Sequence, residues 1–517
     1  MAWKRIADSK GKAYASVAAI GIVAAAGIAI SYDSTSETSD QRSEGSWIDA
    51  GGNATFPAAA SYPNSDGILG VVNTGGPTQT KGHPFFEPLG TNGRACITCH
   101  QPANAMSLSV ETIRERWAAT KGADPLFEPI DGANCPDKPR GEEASHSLLL
   151  NHGLFRIAFP WPPRTRDGTP IEPEFTLEVV RDPTGCNTSP VYGLNSDNPT
   201  VSVYRRPRMA ANLRYVTTSF SLSGRFNGKT GEPLEKHPTG ERVGLPLMAD
   251  GRHWTLQSQA NEAAMGHMQR AEPLTDEQLA KIVEFESQIY TAQEYHIKAG
   301  SLVEPDAPPA LGPMALVNGQ SILPGNNWET PVFMLFDTWR EPPGETAEQR
   351  EFRASVARGY DFFMERPMWI RDVAWFNSIG MGNPYKRNCA ICHSVHLTGN
   401  DISPGVMDLG VNNVATGIDM PDLPVFKVTC KADALPHPYL GREFLTYDPG
   451  RALLTGKCID VGSLVMQQLR GLAARAPYFS NGSAKTLREV VEYYDTRFDM
   501  KMTEQEKEDL TNFLSVL

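Results

Sequence analysis

The apolar and polar positions of the chain predict two amphipathic helices in matching places, one in its middle and one at its C-terminus. Each begins with a capping box, in which Thr275 pairs with Gln278 and Thr503 pairs with Glu506. No long stretch alternates between apolar and polar residues, so the pattern indicates at most a short hairpin. We therefore predict a mainly α fold with extensive loops.

The N-terminal pattern indicates export. Residues 1–12 are basic, and residues 13–30 contain no charged side chain. This order is typical of a signal peptide over residues 1–31, and the apolar run also has the minimum length for an uncleaved membrane anchor. We expect a periplasmic protein whose only membrane contact is this segment. Residues 32–80 are rich in Ser, Thr, Gly, Asn and Pro, which predicts a flexible lead-in.

Composition narrows the class of protein further. The chain of 517 residues is 40% hydrophobic, which is too apolar for a disordered protein, and its 45 Gly and 40 Pro indicate many loops. Lys and Arg number 48 against 60 Asp and Glu, giving a net charge of −12. That balance disfavours a nucleic-acid partner.

Half of the cysteines belong to two C-x-x-C-H motifs, the attachment signature of c-type haem. In this signature two thiols form thioethers to the porphyrin vinyl groups, and the adjacent histidine binds the iron from the proximal side. A zinc site or a thioredoxin-like pair leaves both histidines unexplained. We therefore expect two covalent c-type haems, held by Cys96, Cys99 and His100 and by Cys389, Cys392 and His393.

The other four cysteines fall in pairs, one pair after each haem motif. In an exported protein this arrangement predicts the disulfides Cys135–Cys186 and Cys430–Cys458. Free buried thiols are the alternative, since sequence alone does not fix connectivity.

A haem motif followed by a capped helix is the plan of a cytochrome c domain, and the chain repeats it. We predict a first haem domain at 81–300, a Pro-rich connector at 301–345 and a second haem domain at 346–517. The first domain is much longer than a simple cytochrome c. This insertion favours a substrate site there and makes the first domain the expected active site.

Two further segments point to a family. Residues 475–491 (RAPYFSNGSAKTLREVV) and 250–260 (DGRHWTLQSQA), together with the two haem motifs, resemble the bacterial di-haem cytochrome c peroxidase and MauG superfamily. The resemblance covers roughly residues 85–517. It implies a di-haem oxidoreductase, because the family includes peroxidases, the enzyme that matures a tryptophylquinone, and oxygenases that cleave rubber or oxidise unsaturated fatty acids.

The chain departs from this family at the second haem. Where relatives place a methionine, tyrosine or histidine near the iron, this sequence has Phe479 and Ser480, which are poor iron ligands. The resemblance therefore leaves the second iron either five-coordinate or bound by another side chain, for which His437 and Met466 are the candidates.

The expected catalytic residues also come from the resemblance. The tryptophan that bridges the haems in relatives is replaced by Leu222 or Ala249, so Trp254 either substitutes for it or packs in the core. Gln269 stands where relatives carry a catalytic glutamate, and His267 is then either the acid/base, a distal ligand or a structural histidine. The missing carboxylate disfavours peroxide cleavage and favours activation of dioxygen.

These observations leave three functions open. The first is a dioxygen-activating enzyme that oxidises an organic, apolar substrate at the first haem, with the second haem storing or passing electrons. Residues 148–161 are apolar enough to line its pocket, or are ordinary core. The second is a peroxidase that takes electrons from a small redox protein to reduce hydrogen peroxide. The third is a non-catalytic electron-transfer cytochrome.

Overall fold

The two helices expected from the sequence are present, each with its capping box. In the computed structural model α5 (Asp276–Gln288) begins where the Thr275 side chain accepts from the Gln278 amide, and α10 (Glu504–Ser515) begins in the same way at Thr503. The structure describes residues 47–165, 167–217, 247–253, 255–319, 332–374, 383–394, 398–399 and 406–517. The expected export segment and Trp254 lie outside these residues.

The remaining described helices are short, with one exception of nineteen residues. Most of the longer ones begin at a Ser or Thr side chain that accepts a backbone amide, which satisfies a donor left free by the helix. They are α1 (Val110–Thr120), α2 (Ser147–His152), α3 (Leu213–Thr217), α4 (Leu256–Gly266), α6 (Pro313–Gly319), α7 (Ala347–Glu365), α8 (Ala452–Thr455) and α9 (Leu487–Phe498).

Thirteen described strands form five small antiparallel sheets. The largest has the order β2-β3-β8-β9, one of three strands has the order β13-β12-β6, and β1-β4, β5-β7 and β10-β11 are pairs. The strands are β1 (Thr55–Phe56), β2 (Ala59–Asn64), β3 (Gly67–Asn73), β4 (Thr78–Gln79), β5 (Phe155–Pro160), β6 (Phe175–Arg181), β7 (Thr200–Arg205), β8 (Ile289–His296), β9 (Gly300–Ser301), β10 (Met368–Ile370), β11 (Tyr385–Arg387), β12 (Val425–Cys430) and β13 (Glu443–Thr446).

The prediction of a mainly α fold is wrong. The structure is 31% helical and 19% strand. The sequence pattern missed β3 and β8, two of the longest strands, because they do not alternate: β3 is covered by partner strands on both edges and is buried or half-buried throughout. β8 is likewise mostly buried, and its partner β3 lies more than two hundred residues earlier in the chain. Such pairing leaves no local signal.

Residues 44–517 form one compact unit. The three-stranded sheet joins its two halves, because β6 from the first half pairs with β12 from the second. Strands β1 to β4 lie within the expected lead-in, and Phe56 and Leu69 on these strands are buried in the same core as Phe285 of α5. The boundaries of the two haem domains and of the connector stay a prediction.

Both predicted disulfides are confirmed. Cys135 is bonded to Cys186, and Cys430 at the end of β12 is bonded to Cys458. The four cysteines of the C-x-x-C-H motifs form no disulfide bond. The chain therefore separates its cysteines into two pairs that crosslink loops and two pairs that are available for attachment.

Candidate functional site

The two C-x-x-C-H motifs fold in the same way. Each forms a single 3-10 turn, Cys96–Thr98 in one and Cys389–Ile391 in the other, so that its two thiols and its histidine face one cavity. The Nδ1 atom of His100 lies 2.9 Å from the Met106 carbonyl oxygen, and Nδ1 of His393 lies 3.1 Å from the Gly399 carbonyl oxygen.

These hydrogen bonds fix the form of both imidazoles. A carbonyl only accepts, so Nδ1 carries the proton and Nε2 keeps its lone pair. Burial lowers the pKa of His100, and it lowers the pKa of His393 to about 4, which keeps both rings neutral. A neutral histidine held by an outer hydrogen bond is the ligand that haem iron requires, and two thiols that form no disulfide lie beside each histidine. The residues present therefore fit two c-type haems.

The first cavity is lined by apolar and charged side chains together. Phe155 and Ile157 of β5 lie in its wall, so part of the apolar segment 148–161 reaches this cavity. Three arginines with carboxylate partners, Arg94, Arg205 and Arg252, also line it. It therefore has apolar walls together with built-in charge.

A histidine and an aspartate form a pair in the wall of the first cavity. Nδ1 of His267 lies 2.6 Å from Oδ2 of the buried Asp131, whose other oxygen contacts the Arg94 guanidinium. Burial opposes ionisation of Asp131, but Arg94 and His267 hold its pKa below the ordinary value. The carboxylate accepts a hydrogen bond from Nδ1 of His267 and so orients the ring. The other ring nitrogen, Nε2, is therefore available for proton transfer.

Glu286 adds a carboxyl group that sequence reasoning missed. Its side chain is 4% exposed, lines the first cavity, and its Oε2 has no hydrogen-bond partner among the described residues. Burial raises the pKa of Glu286 to about 8, so the group carries a proton at neutral pH. The first cavity therefore contains two groups that can hold or release a proton, His267 and Glu286.

The second cavity has a different character. Its described wall contains no carboxyl group. Phe479 and Ser480 line it, as the family resemblance implied, and so do Tyr478 and Tyr494. Burial raises the pKa of both tyrosines far above neutrality. Because the pKa of His393 is about 4, the described wall has no histidine, carboxyl or tyrosine that exchanges a proton near pH 7.

The two cavities share a stretch of wall. Val465, Met466 and Gln468 line both of them. Met466, one of the two candidate iron ligands, is therefore at the boundary rather than inside the second cavity alone. The other candidate, His437, lines neither cavity: its Nε2 lies 3.1 Å from Oδ2 of buried Asp408, in a hydrogen-bonded network.

The remaining expected catalytic residues are placed less favourably. Gln269 does not line the first cavity, and its carbonyl accepts from the Thr91 hydroxyl at 3.1 Å. Trp254 is outside the described residues, whereas Ala249 lies in the wall of the first cavity. Of the three expected catalytic residues, His267 alone is placed in this cavity by the described part of the chain.

Glu286 did leave a signal in the sequence. It lies four residues after Ile282 on α5, on the face whose other members are apolar and buried. A lone carboxylate in the apolar stripe of an amphipathic helix indicates a buried acid. This carboxyl group lies on α5, and not directly after α4, where the family resemblance implied one.

No helix among the described residues is long and apolar enough to span a membrane. The described residues also contain no cluster of three or more His, Cys, Asp or Glu side chains arranged to hold a bare metal ion.

Comparison with known proteins adds little. No family model and no curated protein matches the chain. Similar solved structures include hydrazine synthase from Kuenenia stuttgartiensis, at 14% identity and TM-score 0.28, covering 61% of this chain and 73% of that one. A MauG-like protein associated with microbial copper homeostasis has 16% identity and TM-score 0.26, covering 60% and 82%. Both TM-scores are well below the level that indicates a shared fold.

Proposed function

We propose that the protein is an exported di-c-haem oxidoreductase in which the first cavity is the reacting centre and the second passes electrons. The observation that supports this division is the difference between the two walls. His267 and Glu286 offer proton-carrying groups in the first cavity, whereas the described wall of the second has none beside its haem-motif histidine. A c-type haem, once bound, supplies a redox-active iron that His100 or His393 holds from one side.

Reduction of hydrogen peroxide is the reaction that these residues support best. It consumes two electrons and two protons and yields two water molecules. Glu286 is protonated at neutral pH and can release a proton, and Nε2 of His267 can accept and return one while Asp131 holds the ring. The sequence argument against a peroxidase was the missing carboxylate, and Glu286 removes it. The electrons would come from a small redox protein and pass through the second haem.

Activation of dioxygen remains the second candidate, and a specific observation favours it. Phe155 and Ile157 bring apolar surface into the same cavity, which suits an apolar organic substrate. The two reactions differ in what is consumed. A peroxidase oxidises its electron donor and needs no organic substrate, whereas an oxygenase consumes dioxygen only when an organic substrate is present.

The test uses the purified, haem-loaded protein. We expect electron paramagnetic resonance to show an open, high-spin site that responds to peroxide or cyanide, and peroxide turnover with a reduced small redox protein. His267→Gln should lower that turnover by about 10²–10⁴-fold. His152→Gln is the control, because His152 lines neither cavity.

Three results would redirect the assignment. Dioxygen uptake that depends on an added apolar substrate, without peroxide turnover, would favour the oxygenase. Two fully ligated low-spin haems that ignore peroxide, oxygen and cyanide would leave only the electron-transfer cytochrome. A purified protein without covalent haem would refute the whole proposal.

A further inference from the structure

Two buried arginines, Arg206 and Arg475, and the half-buried Arg208 have no carboxylate partner within the described chain. Arg206 and Arg208 line the first cavity, and Arg475 lines the second. Arg208 donates to the Val465 carbonyl at 2.9 Å and to the Met466 carbonyl. This differs from the other arginines of the first cavity, each of which contacts at least one aspartate.

The contacts of the other two arginines are also neutral. Arg206 donates through Nη2 to the carbonyl oxygens of Leu108 and Arg475, while its buried Nη1 has no hydrogen-bond partner among the described residues. Arg475 donates to the Gln467 side chain at 3.3 Å and to the Gln468 carbonyl. Carbonyl and amide oxygens solvate a guanidinium but do not neutralise its charge.

Burial makes this arrangement costly without an anion. A buried charge is stable in proteins when an opposite charge and hydrogen bonds compensate it. Here burial and the positive charge of Arg475 lower the pKa of Arg206 to about 9 and that of Arg208 to about 10. The Arg475 guanidinium therefore repels those of both Arg206 and Arg208.

We propose that Arg208 and Arg475 bind carboxylate groups of the molecules that occupy the cavities, Arg208 in the first and Arg475 in the second. This inference rests on the proposed function, which puts a c-type haem in each cavity. Each such haem carries two propionate carboxylates. A free carboxylic acid, such as a fatty-acid substrate, has the same chemistry. A guanidinium pairs well with either, since its planar donors match the two carboxylate oxygens.

Arg208 gives the sharpest test because its own contacts in the chain are backbone carbonyls. The haem-loaded wild type is compared with Arg208→Gln and Arg208→Lys by measuring the midpoint potential of each haem between pH ~5 and ~8. A propionate that loses its guanidinium gains a proton in this range. We expect Arg208→Gln to give one haem a new pH-dependent step in its potential, and Arg208→Lys to restore the wild-type profile.

Arg252→Gln is the matched control. It also removes one positive charge from the wall of the first cavity, but Asp250 keeps Arg205 and Glu262 keeps His253 as partners. We expect it to shift the potential evenly across pH, without a new step. Arg475→Gln should introduce the step in the other haem, and it serves as the second test if Arg208→Gln fails to fold.

Haem content separates failure of this inference from failure of the proposed function. Arg208→Gln and Arg475→Gln proteins that carry two haems and show no new step overturn the inference alone. A wild type without haem overturns the proposed function. Dodecanoate is then added to the wild type and to Arg208→Gln. We expect its effect on the haem spectrum to be the same in both, and binding that needs Arg208 overturns the haem assignment in favour of a free carboxylic acid.

Discussion

Replacing Glu286 with glutamine should make the protein more stable at alkaline pH and leave its stability at acid pH almost unchanged. The folded-state pKa is raised from 4.5 to about 8, because the carboxyl is buried without a partner. Below pH 4.5 the group is neutral in both the folded and the unfolded chain, so it has no effect on the pH dependence. Between pH 4.5 and about 8 the folded chain alone holds the proton, and stability falls as pH rises.

The size of the effect follows from the shift. Each pKa unit corresponds to about 1.4 kcal/mol, so a shift from 4.5 to about 8 amounts to about 5 kcal/mol of lost stability above pH 8. Glutamine has nearly the same shape and does not ionise. The free energy of unfolding of Glu286→Gln should therefore exceed that of the wild type by a margin that grows from pH ~5 to ~8 and is then constant.

Calorimetry and denaturant titration of the haem-loaded protein at a series of pH values measure this margin. Glu284→Gln is the control, because Glu284 lies on the same helix and is exposed to solvent. Its stability curve should follow that of the wild type. Parallel curves for Glu286→Gln and the wild type would show that Glu286 is ionised at neutral pH, and its assignment as a proton donor would then fail.

Three further changes test other parts of the structure. Replacing both Cys96 and Cys99 with serine should leave one covalent haem per chain, measured as haem that resists extraction with acidified acetone. Asp131→Asn leaves the buried Arg94 without its carboxylate, which should destabilise the protein by about 3–5 kcal/mol in denaturant titration; an unchanged midpoint would contradict the pairing. Gly359→Ala places a Cβ against the Asp509 backbone carbonyl of α10, and should cost about 1–3 kcal/mol, seen as a lower Tm, despite alanine's better helix propensity.

The sequence predicted those features that depend on short segments. Both capping boxes involve residues three apart, so Thr275 and Thr503 marked their helices correctly. The haem motifs are equally local, and each forms the same turn with its histidine oriented by a nearby carbonyl. The disulfides were predictable because only four cysteines remained, in two pairs.

Features that depend on contacts between distant segments were not predictable in this way. β3 reads as a short run of apolar residues with two glycines, and only its pairing with β8 makes it a central strand. The boundary between the cavities is formed by a segment near residue 466 whose sequence has no distinctive pattern. The family resemblance places the catalytic glutamate at Gln269. The partnerless carboxyl of the first cavity is instead Glu286, on α5, which begins later in the chain.

Under the proposed function, the placement of proton-carrying residues explains how two similar sites in one chain would perform different tasks. Both cavities present two thiols and a neutral histidine, so the attachment chemistry does not distinguish them. What distinguishes them is that His267 and Glu286 can exchange protons in the first, whereas electron transfer alone requires no such group in the second. Because reduction of an oxygen species consumes protons together with electrons, the cavity with proton-carrying residues is the one in which the reaction can be completed. The shared wall at Met466 then places the proposed electron-transferring site directly beside the proposed reacting one.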